Sequence, residues 1–317
     1  MNASKPDQKR LPRFKRSGAL PLQITDRDVE IIRSVYKHHF LTSQHIVSLA
    51  SGSDQQIRRR LQLLYHHGYL ERPRAQLDFF ARAGSQPMVY GLANRGARLL
   101  AEADNQPYDK LDWSWKNSKV RRVFLDHTLG IADVMIAFEL ACREENGVTL
   151  IGQDQILEEA PEETRMNRNP HRFEATVRVK GKPEKLALVP DQVFALEHET
   201  EHGAERENFF LEVDRGTMPV ERKSLRGSSI YKKLLTYYSG WQQKRHSEQY
   251  GWSRFRVLTV TASLERVENM VKVTKQLNEG RGSRLFLFTR IDQISNQNPT
   301  KVSCADGQGE NVIVEIG

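Results

Sequence analysis

Cysteine is nearly missing from this chain: Cys142 and Cys304 are the only two in 317 residues. Two thiols are too few for a disulfide framework or a thiolate zinc site. Long apolar runs are missing as well. None approaches the ~20 residues needed to span a bilayer, and residues 1–20 are basic with no apolar core. Mean hydropathy is −0.62 and 28% of residues are charged. These absences predict a cytoplasmic globular chain without membrane insertion, long enough for two domains at roughly 150 residues each.

Positive charge is present and unevenly placed. Residues 1–103 hold 17 Lys and Arg against 8 Asp and Glu, a net +9, whereas the remainder is close to neutral. A basic half of that kind suits a polyanion, and double-stranded DNA is the natural one, because Lys and Arg contacts release condensed counterions. Residues 1–20 read as a flexible basic arm with Lys5, Lys9, Arg10, Arg13, Lys15 and Arg16. Thr25 is placed to cap a helix carrying Val29, Ile32 and Val35, and Thr42 caps a short one carrying Ile46 and Leu49. Ser53 and Gln56 form a capping box ahead of a third, with Ile57, Leu61 and Leu64 on one face. Gly68 ends it, and 69–72 and 88–92 read as strands around a polar loop with Arg74 and Arg82. A last helix opens at Asn94.

That order resembles a winged helix-turn-helix over residues 21–103. The third helix would be the reader of the major groove and the loop the wing over phosphates. Gln55, Gln56 and Arg59 are the residue types that read adenine and guanine edges. Arg58, Arg60, Arg74 and Arg82 complete the expected DNA-contacting set. The competing reading makes 58–60 a solvated helix face on a protein-docking module.

Residues 104–120, with Trp113 and Trp115, read as a linker with an aromatic latch. A long helix is expected over 120–145, then strands at 148–156, 173–179, 186–196 and 209–213. Helix 229–245, strand 255–261, helix 264–277 and strand 285–289 follow, with a polar loop over 297–309 and a weak strand over 312–316. The expectation is therefore an α+β chain whose second domain, 121–317, is α/β with a mixed sheet.

Within that domain Pro190-Asp191 precedes one apolar run and Glu212-Val213-Asp214-Arg215 closes the next. Strand-end carboxylates can share a hard cation through oxygen ligands, and a nearby lysine can offset charge on phosphate. Strand alternation puts Asp214 on the same face as Glu212. Lys233 and Tyr237 are i and i+4 on the following helix and share a face. His198-Glu199-Thr200-Glu201-His202 matches the zinc-peptidase string, but it lies between two strand-like runs with no apolar helix face, so a surface hairpin is expected.

Pro190-Asp191, Glu212 through Thr217, and Lys233-Leu234 with Tyr237, behind a winged helix, resemble the replication-relaxation family, which includes MobC-type relaxases of mobilisable plasmids. The resemblance implies a restriction-endonuclease-like second domain, a Mg2+ or Mn2+ cofactor, and metal-dependent nicking of plasmid DNA. By that likeness Asp191 and Glu212 are metal ligands; strand alternation adds Asp214 as a third carboxylate. Asp214 also stands where the fold's usual lysine would be, so Lys233, then Lys232, is the substitute. Glu139 and His127 are further candidates, His127 being also readable as a core histidine. Implied partners are an origin of transfer, a relaxosome or coupling protein and a second copy of the chain. The alternative is a catalytically inactive DNA-binding accessory or regulator whose nuclease fold has lost its chemistry.

Overall fold

The structure is a computed structural model, described for residues 13–17, 21–77, 86–179, 181–222, 225 and 227–314. Arg82, most of the basic arm and the end of the expected last strand lie outside those residues. Among the described residues no helix is long and apolar enough to cross a membrane. The chain divides into two compact units, Met1–Ala132 and Asp133–Gly317.

The first unit is built from short, capped elements. Helix α1 (Asp26–His38) starts where Thr25 donates its amide and hydroxyl to Asp28 Oδ2, both at 2.8 Å. Strand β1 (Phe40–Thr42) leads into α2 (Ser43–Leu49), where Thr42 Oγ1 accepts the His45 amide at 3.1 Å. Helix α3 (Asp54–His66) buries Ile57, Leu61 and Leu64 completely. Strands β2 (Leu70–Glu71) and β3 (Val89–Leu92) then form a three-stranded antiparallel sheet in the order β1-β3-β2. Helix α4 (Asn94–Asp104) follows. The third strand was not expected, because three residues are too few to display alternation.

Residues 104–120 are more structured than a linker. Helix α5 (Trp113–Ser118) buries Trp113 edge-on to Tyr36 with ring centroids 5.7 Å apart, and the indole N–H donates to the Tyr108 carbonyl at 2.8 Å. The division between the units falls inside the long helix α6 (Arg122–Glu144).

The second unit is mixed α and β around a seven-stranded mixed sheet. Strand β4 (Val148–Ile151) is shorter than the expected 148–156, because Gly152 turns the chain into helix α7 (Gln153–Glu159). Helix α8 (Glu162–Arg165) leads to β5 (Phe173–Val179) and β6 (Lys182–Leu188), a separate antiparallel pair. The expected strand 186–196 is two strands of different sheets. Pro190 lacks an N–H for the ladder and breaks the run, so β7 (Gln192–Thr200) begins beyond it.

Strand β7 and β8 (Gly203–Asp214) form a long antiparallel hairpin closed at Thr200 and Gly203. The His198–His202 string thus runs from a strand end into a tight turn. Helices α9 (Ile230–Gln242) and α10 (Arg245–Tyr250), strand β9 (Arg256–Thr261), helix α11 (Leu264–Leu277), strand β10 (Phe286–Arg290) and helix α12 (Ile291–Asn296) complete the alternating part. Residues expected as a terminal loop instead supply β11 (Ser303–Asp306), with β12 (Asn311–Ile313) beyond it.

Sheet order is β12-β11-β10-β9-β8-β7-β4, with β8, β9 and β10 mutually parallel and the other neighbours antiparallel. One face packs an aromatic cluster of Phe173, Phe210, Tyr237, Tyr250, Trp252 and Phe255. Helix α9 approaches β5 closely at Gly240, where an added Cβ would lie 2.3 Å from the Phe173 ring.

Candidate functional site

Asp191 is the last residue before β7. Its amide donates to the Leu211 carbonyl at 3.1 Å, continuing the ladder one step past the Gln192–Leu211 pair. Asp191 therefore lies opposite Glu212 across the β7–β8 hairpin, and its Oδ2 accepts the Val213 amide at 2.8 Å. Cross-strand partners in such a ladder have Cβ atoms about 5 Å apart, so the two carboxylates are neighbours.

Helix α9 supplies the rest. Its start is fixed twice over. Ser229 Oγ accepts the Lys232 amide at 3.2 Å, and the Ile230 and Tyr231 amides donate to the Pro219 and Val220 carbonyls at 3.2 and 2.9 Å. From that start Lys233 and Tyr237 fall on one face, one turn apart, and both reach Glu212. The Lys233 ammonium forms an ion pair with Glu212 Oε2, and the Tyr237 hydroxyl donates to Oε1 at 2.6 Å.

Glu212 is only 4% exposed. Burial pushes its carboxyl up, to about 7, with the Asp191 charge adding to the rise and Lys233 and Tyr237 opposing it. Burial alone would depress the Lys233 ammonium. The Glu212 and Asp191 carboxylates outweigh it and hold Lys233 above its usual range. Tyr237 is raised well above the ordinary phenol by burial and by Glu212, so it stays a donor. The group thus pairs two carboxylates with one fixed ammonium.

A titration signature follows. Glu212 has a higher pKa folded than unfolded, so the folded state holds the extra proton between about pH 4.5 and 7. The associated stability is present below that window and lost as pH rises through it. Measured in EDTA, wild type should lose stability relative to Glu212→Gln by on the order of 2 kcal/mol across that window. Parallel pH profiles for the two proteins would refute the buried titration.

Asp214 does not join the pair. It is held by Arg266 of α11, whose Nε and Nη2 donate to Oδ2 and Oδ1 at 2.6 and 2.9 Å. The Thr261 hydroxyl donates to Oδ2 at 2.7 Å and the Gly216 amide to Oδ1 at 3.2 Å. Four donors occupy the roughly four lone-pair sites of a carboxylate, leaving none for a cation. Asp214, expected as a third metal ligand, is thus engaged by Arg266, Thr261 and Gly216. Alternation did put it on the helix-facing side, but Arg266, 52 residues on, carries no local signal.

Among the described residues Glu212 accepts two such bonds. No group of three or more His, Cys, Asp or Glu residues among those described is arranged to hold a metal ion. A two-carboxylate site still fits Mg2+, which commonly binds one or two carboxylates and completes its shell with water and substrate phosphate.

Of the other candidates, Lys232 is half-buried and its carbonyl accepts the Thr236 hydroxyl at 2.8 Å. Glu139 is paired with Arg143 one turn along α6 at 2.7 Å, and His127 is a half-buried residue of the same helix. On α3, Gln55, Gln56, Arg58 and Arg59 are exposed, and Arg74 is exposed after β2. Arg58 donates to Ser43 Oγ at 3.0 Å. Arg60 turns inward instead: its Nε donates to Asp28 Oδ1 at 2.9 Å and its Nη2 to the Gln23 carbonyl at 2.8 Å. Asp28 is fully buried, so Arg60 holds α1 to α3 and is removed from the surface set.

The family model described as replication-relaxation matches residues 32–253. No curated protein and no solved structure matches the chain. The matched span contains α3, Asp191, Glu212, Lys233 and Tyr237, and takes in well over half of the sequence. The chain belongs to the replication-relaxation family.

Proposed function

We propose that this protein binds duplex DNA through its first unit, read as a winged helix, and nicks one strand with the Asp191–Glu212–Lys233 group of a restriction-endonuclease-like second unit. The substrate in this reading is plasmid or other mobile-element DNA, with an origin of transfer as the preferred site. The observation that carries it is the ammonium of Lys233, delivered from α9 onto Glu212 beside the cross-strand Asp191. It stands in for a lysine that the Glu-Val-Asp sequence lacks on its own strand.

Asp191 and Glu212 are the residues that would hold Mg2+ or Mn2+; such an ion supplies an activated water and charge neutralisation at phosphate. Lys233 places a fixed positive charge where a phosphate oxygen gains negative charge. Tyr237 orients Glu212 by its hydrogen bond, and burial of both keeps bulk water from weakening the interaction.

On α3, Arg59 is exposed and makes no ion pair among the described residues, which leaves it available to DNA. Arg59→Ala is expected to weaken duplex binding by about 1–3 kcal/mol if it reads a base, or to shallow the salt dependence by about one unit if it meets phosphate. Unchanged affinity and salt slope in a fluorescence-anisotropy titration would remove α3 as the reader.

The saturated Asp214 carboxylate favours a second reading, a DNA-binding accessory protein without nuclease chemistry. One assay separates the two. Purified protein with Mn2+ should convert supercoiled cognate plasmid to open circles, and Asp191→Ala or Glu212→Ala should abolish this. Nicking that survives both substitutions removes the site assignment; DNA binding with no nicking by wild type selects the accessory reading.

A further inference from the structure

A cavity of about 480 Å³ opens in the first unit between residues 14–16, the segment after β2 and helix α5. Its lining includes Lys15, Arg16, Arg72 and Arg74, with Glu71 as the one acid. Arg16 neutralises Glu71, its Nη2 lying 2.9 Å from Oε1. Three cations are left over.

Arg72 is the unusual one. It is only 8% exposed, yet no carboxylate among the described residues pairs with it. Its Nη1 donates to the Arg13 carbonyl at 2.6 Å and its Nη2 to the Tyr90 hydroxyl at 3.1 Å, while the guanidinium lies over the Tyr65 and Tyr90 rings. Its Nε is buried without an acceptor. A buried guanidinium held only by neutral groups is costly unless an anion reaches it. The surroundings report the same excess: the His66 imidazole is pulled down by burial and by Arg72 and Arg16. Lys15 and Arg74 are exposed, and neither is ion-paired among the described residues.

We infer that this cavity is a phosphate-binding pocket, in which Arg72 receives the oxyanion from within and Lys15 and Arg74 close over it from the rim. The volume exceeds that of a bare phosphate and falls in the range of small-molecule pockets, so the occupant is a nucleotide phosphate, carried on a free nucleotide or on a nucleic-acid end. Arg recognises such groups through its planar fork of donors. The inference does not depend on the carboxylate–lysine group of the second unit.

Isothermal calorimetry on the full chain, at ionic strength held constant with sodium chloride, tests it. Inorganic phosphate and thymidine 5′-monophosphate should each show saturable one-site binding. Lys15→Ala with Arg74→Ala, both surface changes, should weaken it tenfold or more. Arg72→Gln should abolish it in protein whose circular dichroism matches wild type. If Arg72→Gln fails to fold, the surface pair decides alone. Hairpin DNA with a 5′-phosphate or a 5′-hydroxyl separates the sources. A tenfold preference for the phosphorylated hairpin identifies a DNA end, and equal hairpins with retained nucleotide binding identify a free nucleotide. No saturable phosphate binding, or the same affinity in the surface pair, would overturn the pocket.

Discussion

Lys233→Met is expected to slow Mn2+-dependent nicking by about 10²- to 10³-fold, the usual loss when one preorganised electrostatic donor is removed from a site of developing charge. Methionine is one heavy atom shorter than lysine and keeps most of its packing, so the loss reports charge. The same change strips Glu212 of its ion pair, and a buried carboxylate left with Tyr237 alone is expected to be protonated at neutral pH. Activity is therefore best compared as a rate at saturating DNA with the folded fraction measured in parallel. Lys233→Arg, which keeps the charge, should recover part of the rate. Full activity in Lys233→Met would show that the ammonium serves only to neutralise Glu212. The nicking reading would then need another cation.

The second large effect is on stability. Arg266→Ala should cost about 3–5 kcal/mol, because it leaves the Asp214 carboxylate buried with only a hydroxyl and an amide to meet it. The side chain of Asp214 is 4% exposed and that of Arg266 is 18% exposed, so solvent offers little relief. Replacing both, Asp214→Leu with Arg266→Met, should return most of the loss, since an apolar pair of similar bulk avoids the unpaired charge. Urea unfolding of the two variants measures this. A cost below about 1 kcal/mol for Arg266→Ala would mean that Asp214 escapes to solvent or binds another cation, reopening it as a ligand.

Much of the fold was legible because local signals and tertiary demands agree. Helix α11 runs over the expected 264–277, and α3 follows its serine cap and three apolar positions. Errors gathered where a neighbour from elsewhere in the chain decided the outcome. Strand β1 exists because β3 pairs with it, and β11 forms against β10; neither short segment has a pattern of its own. Pro190 is a motif residue beside Asp191 in the sequence, and in the fold it ends one strand pair and starts another sheet.

At the candidate site the positions of Asp191 and Glu212 could be placed from strand order, and Lys233 with Tyr237 from helical spacing. What sequence reasoning missed is competition for each carboxylate. Arg60 and Asp28, like Arg266 and Asp214, are pairs 32 and 52 residues apart in which a buried acid captures an arginine. An arginine inside a helix looks the same in sequence whether it faces solvent or reaches across to a buried acid. The apolar surroundings of Asp28 and the strand-end setting of Asp214 were the available hints that a counter-ion had to arrive.

The clamp between 219–220 and 230–231 has an engineering consequence. Because 219–220 are bonded directly to 230–231, the register of α9 is fixed independently of the length of the loop that joins them. Extra residues spliced in between 221 and 228 would lengthen that loop at little entropic penalty, since closure cost grows only logarithmically. The same insertion between 215 and 218 would push on the Gly216–Asp214 turn and shift the lysine off its partner. Tags or sensor peptides therefore belong on the far side of the staple.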